Sequence, residues 1–309
     1  MKRHPVIWGI VLLFILLLVF YLLIYGLTSI TGKRSGFSSS DKIGIVNIDG
    51  VIKDSTDIVE NLQEFGKDDS VKGVLLRINS PGGGVAPSQE IYEAVMELRK
   101  KKRVLASMSS VAASGGYLVA CAGEKIIANP GTLTGSVSAV MYFANAEELM
   151  KKVGVKASTI KSGKYKDIGS PIREMTEEEK KLLQGLVDDI YSQFLEVVIR
   201  HRGISEYALK QIADGRIFTG RQARQLGLVD YLGDKEYALR MLSKMVGIPG
   251  EPVIVYPRKK YTSMFDYLFE QTGSTLANVL YREQAISYGI HYLIDSYGLR
   301  VFLPQSMER

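Results

Sequence analysis

In Val111-Ala112-Ala113-Ser114-Gly115-Gly116-Tyr117, a serine lies among small residues, directly before an apolar run from Leu118 to Ala122. Small neighbours would let a substrate approach the Ser114 hydroxyl closely, and backbone N–H groups at a helix start carry partial positive charge. This pattern suits a nucleophile whose reaction forms an oxyanion. The same small residues would also suit tight packing of a helix on a sheet, so the stretch alone leaves both interpretations open.

Short β-branched runs alternate with amphipathic segments on both sides of this serine. The runs predict strands at Ile43–Ile48, Val74–Asn79, Val104–Met108, Lys125–Ala128 and Lys156–Ile160. Helical spacing predicts helices at Ser55–Phe65, Pro87–Lys102, Ala146–Val153 and Thr176–Arg200. Thr176 with Glu179 forms a capping box that opens the last of these helices. The alternation predicts an α/β fold with a largely parallel sheet.

The small numbers of cysteine and histidine residues limit the possible metal sites, disulfides and catalytic bases. The chain has 309 residues and one cysteine, Cys121, which excludes an intramolecular disulfide and a cysteine-based zinc site. Its apolar surroundings predict a buried small side chain. The three histidines lie before an apolar span (His4), in a charged helix end (His201) and in the C-terminal tail (His291). A base for Ser114 is therefore expected to be a lysine, which can lose its proton near neutral pH when burial desolvates it.

A long uncharged segment near the N-terminus predicts a membrane anchor. Val6 to Ile30 contains no charged residue and exceeds the roughly 20 residues that span a bilayer. It is also too long for the apolar part of a secretory signal, and no cleavage pattern follows it. Lys2 and Arg3 before the segment balance Lys33 and Arg34 after it, so charge alone does not set the orientation.

The formal net charge of +6 is mild. Its densest cluster, residues 99–103, ends a predicted helix, where cations complement the helix dipole. We interpret this cluster as a solvated helix end and predict no nucleic-acid partner.

Two further loops follow predicted strands, where α/β folds place their sites. Ser80-Pro81-Gly82-Gly83-Gly84 could direct N–H groups at a ligand or could simply form a tight turn. It matches neither the phosphate-binding P-loop nor the dinucleotide fingerprint. The other loop, Ser162 to Pro171, carries Lys164 and Lys166 just after Lys161. These three lysines are the candidate bases, and their spacing does not choose among them.

Taken together, five ordered motifs resemble the bacterial signal peptide peptidase A family, in its short, single-unit form. They are Asn79-Ser80-Pro81-Gly82-Gly83, Ala112-Ala113-Ser114-Gly115-Gly116-Tyr117, Leu133-Thr134-Gly135-Ser136, Ser162-Gly163-Lys164-Tyr165-Lys166 and Asp214-Gly215-Arg216-Ile217-Phe218-Thr219-Gly220. The resemblance covers residues 42–247. It implies a serine endopeptidase on the fold shared with the Clp protease proteolytic subunit and crotonases, built from repeated ββα units.

The resemblance also implies a role for each matching residue. Ser114 matches the nucleophile, Lys166 the general base and Ser136 the serine that orients the lysine. Gly83 matches an oxyanion donor, and we infer that the Gly115 N–H is the second. Such a Ser/Lys dyad uses no cofactor and no metal ion. A lysine base should be buried in the assembled site, whereas the loop of Lys166 is polar, so neighbouring protomers of a ring are expected to share the dyad.

The resulting expectation is a single-pass protein of the inner or plasma membrane that degrades cleaved signal peptides and other hydrophobic peptides. We expect a cytoplasmic tail at residues 1–5, an anchor contacting lipid at 6–30, a linker at 31–41 and a protease domain at 42–255. The resemblance places that domain in the periplasm or outside the cell. The alternatives are a catalytically inactive membrane scaffold of the same fold and a crotonase-like acyl-CoA enzyme.

Residues 256–309 lie beyond the resemblance and form an amphipathic tail of unknown role, with helical spacing at Met264–Phe269 and Ala285–Ile294. Packing on the domain, an oligomer contact and a position on the membrane surface are all compatible with this pattern.

Overall fold

The computed structural model describes residues 12–22, 41–257 and 291–293. The chain divides into two compact units, Met1–Ser40 and Asp41–Arg309. In the first unit, residues 12–22 form helix α1, whose side chains are exposed. No helix among the described residues has both the length and the apolar character needed to cross a membrane. The rest of the predicted anchor, residues 6–11 and 23–30, lies outside the described residues.

The second unit is built on a mainly parallel sheet. The strands of this unit are β1 (Lys42–Asp49), β2 (Val71–Ser80), β3 (Gly82–Gly84), β4 (Arg103–Ala113), β5 (Ile126–Ala128), β6 (Leu133–Gly135), β7 (Ile217–Thr219), β8 (Tyr231–Leu232), β9 (Val253–Val255) and β10 (His291–Leu293). Strands β3 and β10 form a separate two-stranded sheet. The order across the main sheet is β7-β6-β4-β2-β1-β9, with β5 between β4 and β8. Among the described pairs of this sheet, only β6 and β7 are antiparallel. The other pairs are parallel, as the predicted α/β alternation requires.

Helices cover both faces of this sheet. They are α2 (Thr56–Lys67), α3 (Val85–Arg99), α4 (Gly115–Cys121), α5 (Glu147–Lys152), α6 (Glu177–Arg202), α7 (Glu206–Lys210), α8 (Gly220–Gln225) and α9 (Lys235–Val246). Alternate strand residues point to opposite faces. In β2, Leu75 packs against α9, whereas Leu76 belongs to the larger core that includes α2, α3, α4 and α6. The predicted capping box of Thr176 and Glu179 is confirmed at the start of α6.

The long strand β4 brings several chain segments to one edge. Its first half pairs with β5, and its last residues pair with β6. On the other side, β2 pairs with β4 up to Ser80, which faces Ala112. The segments that follow β2, β4 and β6 therefore meet at the carboxyl ends of three neighbouring parallel strands, where α/β proteins build their sites.

Two sequence predictions were wrong locally. Lys156–Ile160 is not a strand, since all five residues are exposed and pair with no neighbour among the described residues. A strand needs a partner, and β-branched composition alone does not supply one. Residues 291–293 are not helical either, because they form strand β10 antiparallel to β3. The remaining residues of that predicted helix, 285–290 and 294, and the predicted helix at 264–269 lie outside the described residues.

Candidate active site

Ser114 occupies a strained turn between a strand and a helix. Strand β4 ends at Ala113, helix α4 begins at Gly115, and Ser114 between them has φ 52° and ψ −122°. Residues other than glycine rarely adopt this conformation, and such strain is concentrated at functional sites. The Ser114 N–H donates to the Gly135 carbonyl at 2.9 Å, which helps to hold the turn. A strand–turn–helix arrangement also presents the nucleophilic serine of α/β-hydrolases.

The small residues around Ser114 also serve packing. A Cβ atom added to Gly116 would lie 2.8 Å from the carbonyl oxygen of Ser80. Helix α4 therefore crosses the end of β2 at a distance that only glycine allows. The packing interpretation is right for Gly116, and the strain at Ser114 is a separate observation that packing does not require.

Ser136 lies beside Ser114 at the end of the next strand. Ala113 and Gly135 are register partners of β4 and β6, and each serine follows one of them. Ser136 also has φ 52°, and its N–H donates to the Arg216 carbonyl at 2.8 Å. Both serines are nearly inaccessible, at 1% and 5% exposure. The predicted nucleophile and the predicted orienting serine are thus brought together.

Gly83 lies in β3, just beyond the end of β2. A Cβ atom on it would lie 2.1 Å from the Ile52 carbonyl oxygen, so this position requires glycine. The Ile52 N–H donates to Gly82 at 2.9 Å, and the Gly84 N–H donates to Ile52 at 2.8 Å. Because N–H groups alternate between the two edges of a strand, the Gly83 N–H is directed to the opposite edge. There its register partner is Tyr292 of β10.

Gly115 is the first residue of α4. The N–H groups of a first helical turn have no partner within the helix. The backbone N–H of Gly115 directly follows the Ser114 carbonyl, which is compatible with the predicted oxyanion donor.

The three candidate lysines differ in their partners. Lys161 forms an ion pair with Asp167, and Lys164 forms one with Glu178. The Glu178 carboxylate raises the pKa of Lys164 and so favours its charged form. The side chain of Lys166 is exposed and, within residues 41–257, makes no hydrogen bond or ion pair. The structure therefore does not join Lys166 to Ser114 or Ser136.

Among the described residues, neither Cys121 nor His201 forms a hydrogen bond with Ser114. Cys121 is fully buried in α4, and burial raises its pKa to about 12, so it is the inert small residue that was predicted. His201 in the last turn of α6 forms a 2.7 Å hydrogen bond with the Tyr92 hydroxyl. Burial lowers the pKa of His201 and favours its neutral form.

Sequence reasoning missed Arg173. Its Nε and Nη2 atoms donate to the Asp167 carboxylate at 2.9 and 2.8 Å. Its Nη1 and Nη2 atoms donate to the Glu179 carboxylate at 2.8 and 2.5 Å. We call these three residues the Arg173 clasp. Glu179 carried a sequence signal through its capping box, whereas nothing in the pattern indicated that Arg173 bridges it to the lysine loop.

Comparison with known proteins finds a family match and several similar proteases. Residues 96–248 match the model of peptidase family S49. A candidate protease of Methanocaldococcus jannaschii is 35% identical over 91% of this chain and 99% of its own length. A candidate protease of Synechocystis is 42% identical over 70% of this chain and 78% of its own. A candidate signal peptide peptidase SppA of Enterococcus faecium is 36% identical over 75% of this chain and 72% of its own.

The family match spans the strained Ser114 and the lysine loop. The predicted family and the predicted serine-peptidase class are confirmed, and the chain belongs to peptidase family S49, as a serine peptidase of the SppA type.

Proposed function

We propose that this chain is a membrane-anchored endopeptidase that hydrolyses cleaved signal peptides and other hydrophobic peptides through a Ser114/Lys166 dyad. The observation that carries the proposal is the strained, buried Ser114 beside Ser136, with Gly83 in the short strand β3 just beyond the end of the neighbouring strand β2. Three elements that acyl transfer needs therefore follow the ends of three neighbouring strands, β2, β4 and β6: a nucleophile, a second hydroxyl and a candidate oxyanion donor.

The reaction would proceed in two halves. Neutral Lys166 accepts the Ser114 proton while the serine oxygen attacks the peptide carbonyl, and the N–H groups of Gly83 and Gly115 stabilise the oxyanion. The lysine then protonates the leaving amine, which departs and leaves an acyl-enzyme. In the second half, Lys166 takes a proton from water, the resulting hydroxide attacks the ester, and the proton returns to Ser114.

The ion pairs support Lys166 as the base over its two neighbours. A lysine base acts in its neutral form, and a carboxylate partner stabilises the charged form. Lys161 and Lys164 each have such a partner, Asp167 and Glu178 respectively. Lys166 has none among the described residues.

We further propose that two protomers complete each site. Ser114 is buried, whereas Lys166 is exposed in the single chain, so a lysine base would need a covering surface to become desolvated. Exposed apolar side chains lie in the segment that precedes its loop, namely Phe143, Leu149, Val153, Val155 and Ile160. Helix α5 within this segment contains no buried residue. A second copy of this chain is the occupant we propose for that surface.

The pairing of β3 with β10 supports an extended mode of peptide binding. Strand β3 already accepts an antiparallel strand, residues 291–293, in register with Gly83. A substrate peptide could add to the same edge, since strand addition needs only backbone hydrogen bonds. Its scissile carbonyl could then lie near the N–H of Gly83.

The anchor and the cellular side remain part of this proposal. The uncharged sequence from Val6 to Ile30 supports a single span, with residues 1–5 in the cytoplasm and the protease domain, residues 42–255, on the outer face. The mainly parallel sheet is also compatible with the proposed Clp protease and crotonase-like fold.

The test is labelling of purified oligomer with a fluorophosphonate, which reacts with activated serines. We expect the wild type to be labelled, Ser114→Ala to be unlabelled and Lys166→Ala to react at least about a hundredfold more slowly. Lys164→Ala, on the same loop, serves as the control and should keep most of the rate. Full labelling of Lys166→Ala would refute the dyad, and an unlabelled wild type would favour an inactive scaffold.

Sharing of the site has its own test. Ser114→Ala and Lys166→Ala are mixed, dissociated and reassembled, which pairs an intact lysine with an intact serine at some interfaces. Random assembly should restore roughly a quarter of the wild-type labelling if the dyad spans two protomers. If the dyad lies within one protomer, the mixture stays as inactive as its components.

A further inference from the structure

The loop of Lys166 is bound to helix α6 on both sides of the lysine. The residue before it, Tyr165, donates its hydroxyl hydrogen bond to Glu178. The residue after it, Asp167, binds Glu179 through Arg173. Glu178 and Glu179 both belong to the first turn of α6. Lys166 is therefore presented from a short segment whose two ends are held by one helical turn.

Helix α6 is a rigid support for this segment. Phe194, Leu195 and Val198 anchor it in the main core, and its first turn is fixed by the capping box. The Glu179 side chain is 4% exposed, whereas Arg173 keeps 29% of its surface accessible. In the clasp, Glu179 on the helix is thus buried, whereas Arg173 in the loop is partly exposed. The pair connects a core helix to a surface loop.

Single backbone hydrogen bonds hold other parts of the loop. The Lys166 N–H donates to the Gly163 carbonyl at 3.2 Å, and the Ala146 N–H donates to the Pro171 carbonyl at 2.7 Å. Neither contact fixes the direction of residues 165–167 relative to α6. The bidentate pairs of Arg173 do so, because a planar guanidinium holds two carboxylates in a defined geometry.

The clasp also controls the charge next to the lysine. An unpaired carboxylate at Asp167, adjacent to Lys166 in the chain, would favour a charged lysine in the assembled site. In the structure this carboxylate is 11% exposed and bound by both Arg173 and Lys161. The other charged groups of this cluster, Glu178 and Glu179 on α6, are bound by Lys164 and Arg173.

We propose that Arg173 is a positioning residue for the dyad: it fixes the Lys166 loop on α6 and keeps the Asp167 carboxylate engaged, so that Lys166 meets Ser114 in its neutral form. The inference rests on the proposed role of Lys166. It assigns no contact between Arg173 and the substrate.

The experiment measures fluorophosphonate labelling of assembled oligomer as a function of pH, for wild type, Arg173→Met, Asp167→Asn and the double variant. We expect Arg173→Met to lower the limiting rate about ten- to a hundredfold and to move the midpoint of the pH–rate profile upward. Arg173→Met/Asp167→Asn should return the midpoint to the wild-type value without restoring the limiting rate. Arg173→Lys should fall between, since it keeps the charge and loses the fork.

Folding and specificity are controlled separately. Lys210→Met, which removes an exposed cation paired with Glu206 on α7, should leave rate and midpoint unchanged. If Arg173→Met does not assemble, Glu179→Gln weakens the same tether while leaving Arg173 and Asp167 in place, and should lower the limiting rate. A wild-type limiting rate and midpoint in the assembled clasp variants would overturn the inference. Full labelling of Lys166→Ala would instead overturn the dyad itself, so the two failures are distinguishable.

Discussion

Ser114 and Ser136 each follow a register partner on neighbouring parallel strands, Ala113 and Gly135, and both adopt φ of 52°. Within the described residues, they are the positive-φ positions not occupied by glycine. The Ser114 N–H donates to the Gly135 carbonyl, so the two strained turns are joined directly. Two side chains kept at strained positions, where glycine would fit more easily, are expected if both hydroxyls take part in the proposed reaction.

This relationship predicts opposite effects on activity and stability at Ser136. Replacement by glycine or by alanine removes the hydroxyl, and either change should lower the labelling rate about ten- to a hundredfold, because the lysine loses its orienting partner. Only glycine relieves the φ strain, so Ser136→Gly should be more stable than Ser136→Ala by about 1 kcal/mol in thermal unfolding. Wild-type labelling in both variants would show that Ser136 has no part in the reaction.

A second prediction follows from the close approach of Gly83 to Ile52. In Gly83→Ala the new methyl group would lie 2.1 Å from the Ile52 carbonyl, so the backbone of β3 must move. We expect a loss of about 1–3 kcal/mol in the free energy of unfolding and a near-complete loss of labelling. Gly131→Ala is the matched control, because nothing lies within 4 Å of its added methyl group and its φ is not positive. Equal behaviour of the two variants would contradict the prediction.

Strand β10 leads to a third prediction. Because residues 291–293 occupy the edge of β3 in register with Gly83, they compete with any peptide that adds there. A chain ending at residue 290 should therefore label faster and have a lower KM for a peptide substrate. Tyr292→Pro, which removes one N–H donor from the pairing, should act in the same direction. An unchanged KM in both variants would mean that substrate binds elsewhere.

These findings show which parts of the molecule local sequence patterns could predict. Ser114 and the glycine turn at residues 82–84 were predictable because each follows a predicted strand, and the ends of parallel strands converge. Ser136 was indicated only by the family resemblance, since the strand before it, β6, was not predicted. Strand pairing between β10 and β3 was not, since it joins segments distant in the chain and leaves no local pattern. Lys156–Ile160 shows the converse: its composition suits a strand, but no neighbouring strand reaches it.

The predicted site residues stay predictions, and the ion pairs around them were visible only in the structure. Motifs indicated Lys166. They could not show that Lys161 and Lys164 form ion pairs with carboxylates while Lys166 forms none among the described residues. Arg173 was missed for a related reason. An arginine in a polar loop is usually solvated, and only the fold places Glu179 and Asp167 on opposite sides of its guanidinium.

The last prediction concerns the stability of the fold at low pH. Hydrogen bonds from Arg173 lower the pKa of Glu179 from 4.5 to about 2 and hold that of Asp167 far below its usual range. A carboxyl group whose pKa is lowered in the folded state stabilises that state above its unfolded pKa, and this stabilisation is lost as the pH falls through the folded value. The clasp should therefore be fully stabilising above about pH 4.5 and lose most of the Glu179 contribution on the way to pH 2, whereas the Asp167 contribution persists to lower pH. Thermal unfolding between pH 7 and pH 2 should show a midpoint gap between wild type and Arg173→Met that narrows over this range. In Lys180→Met, which breaks the exposed pair with Glu177 on the same helical turn, no such gap should appear at any pH. A gap of constant size for Arg173→Met would show that its guanidinium stabilises the loop by packing alone.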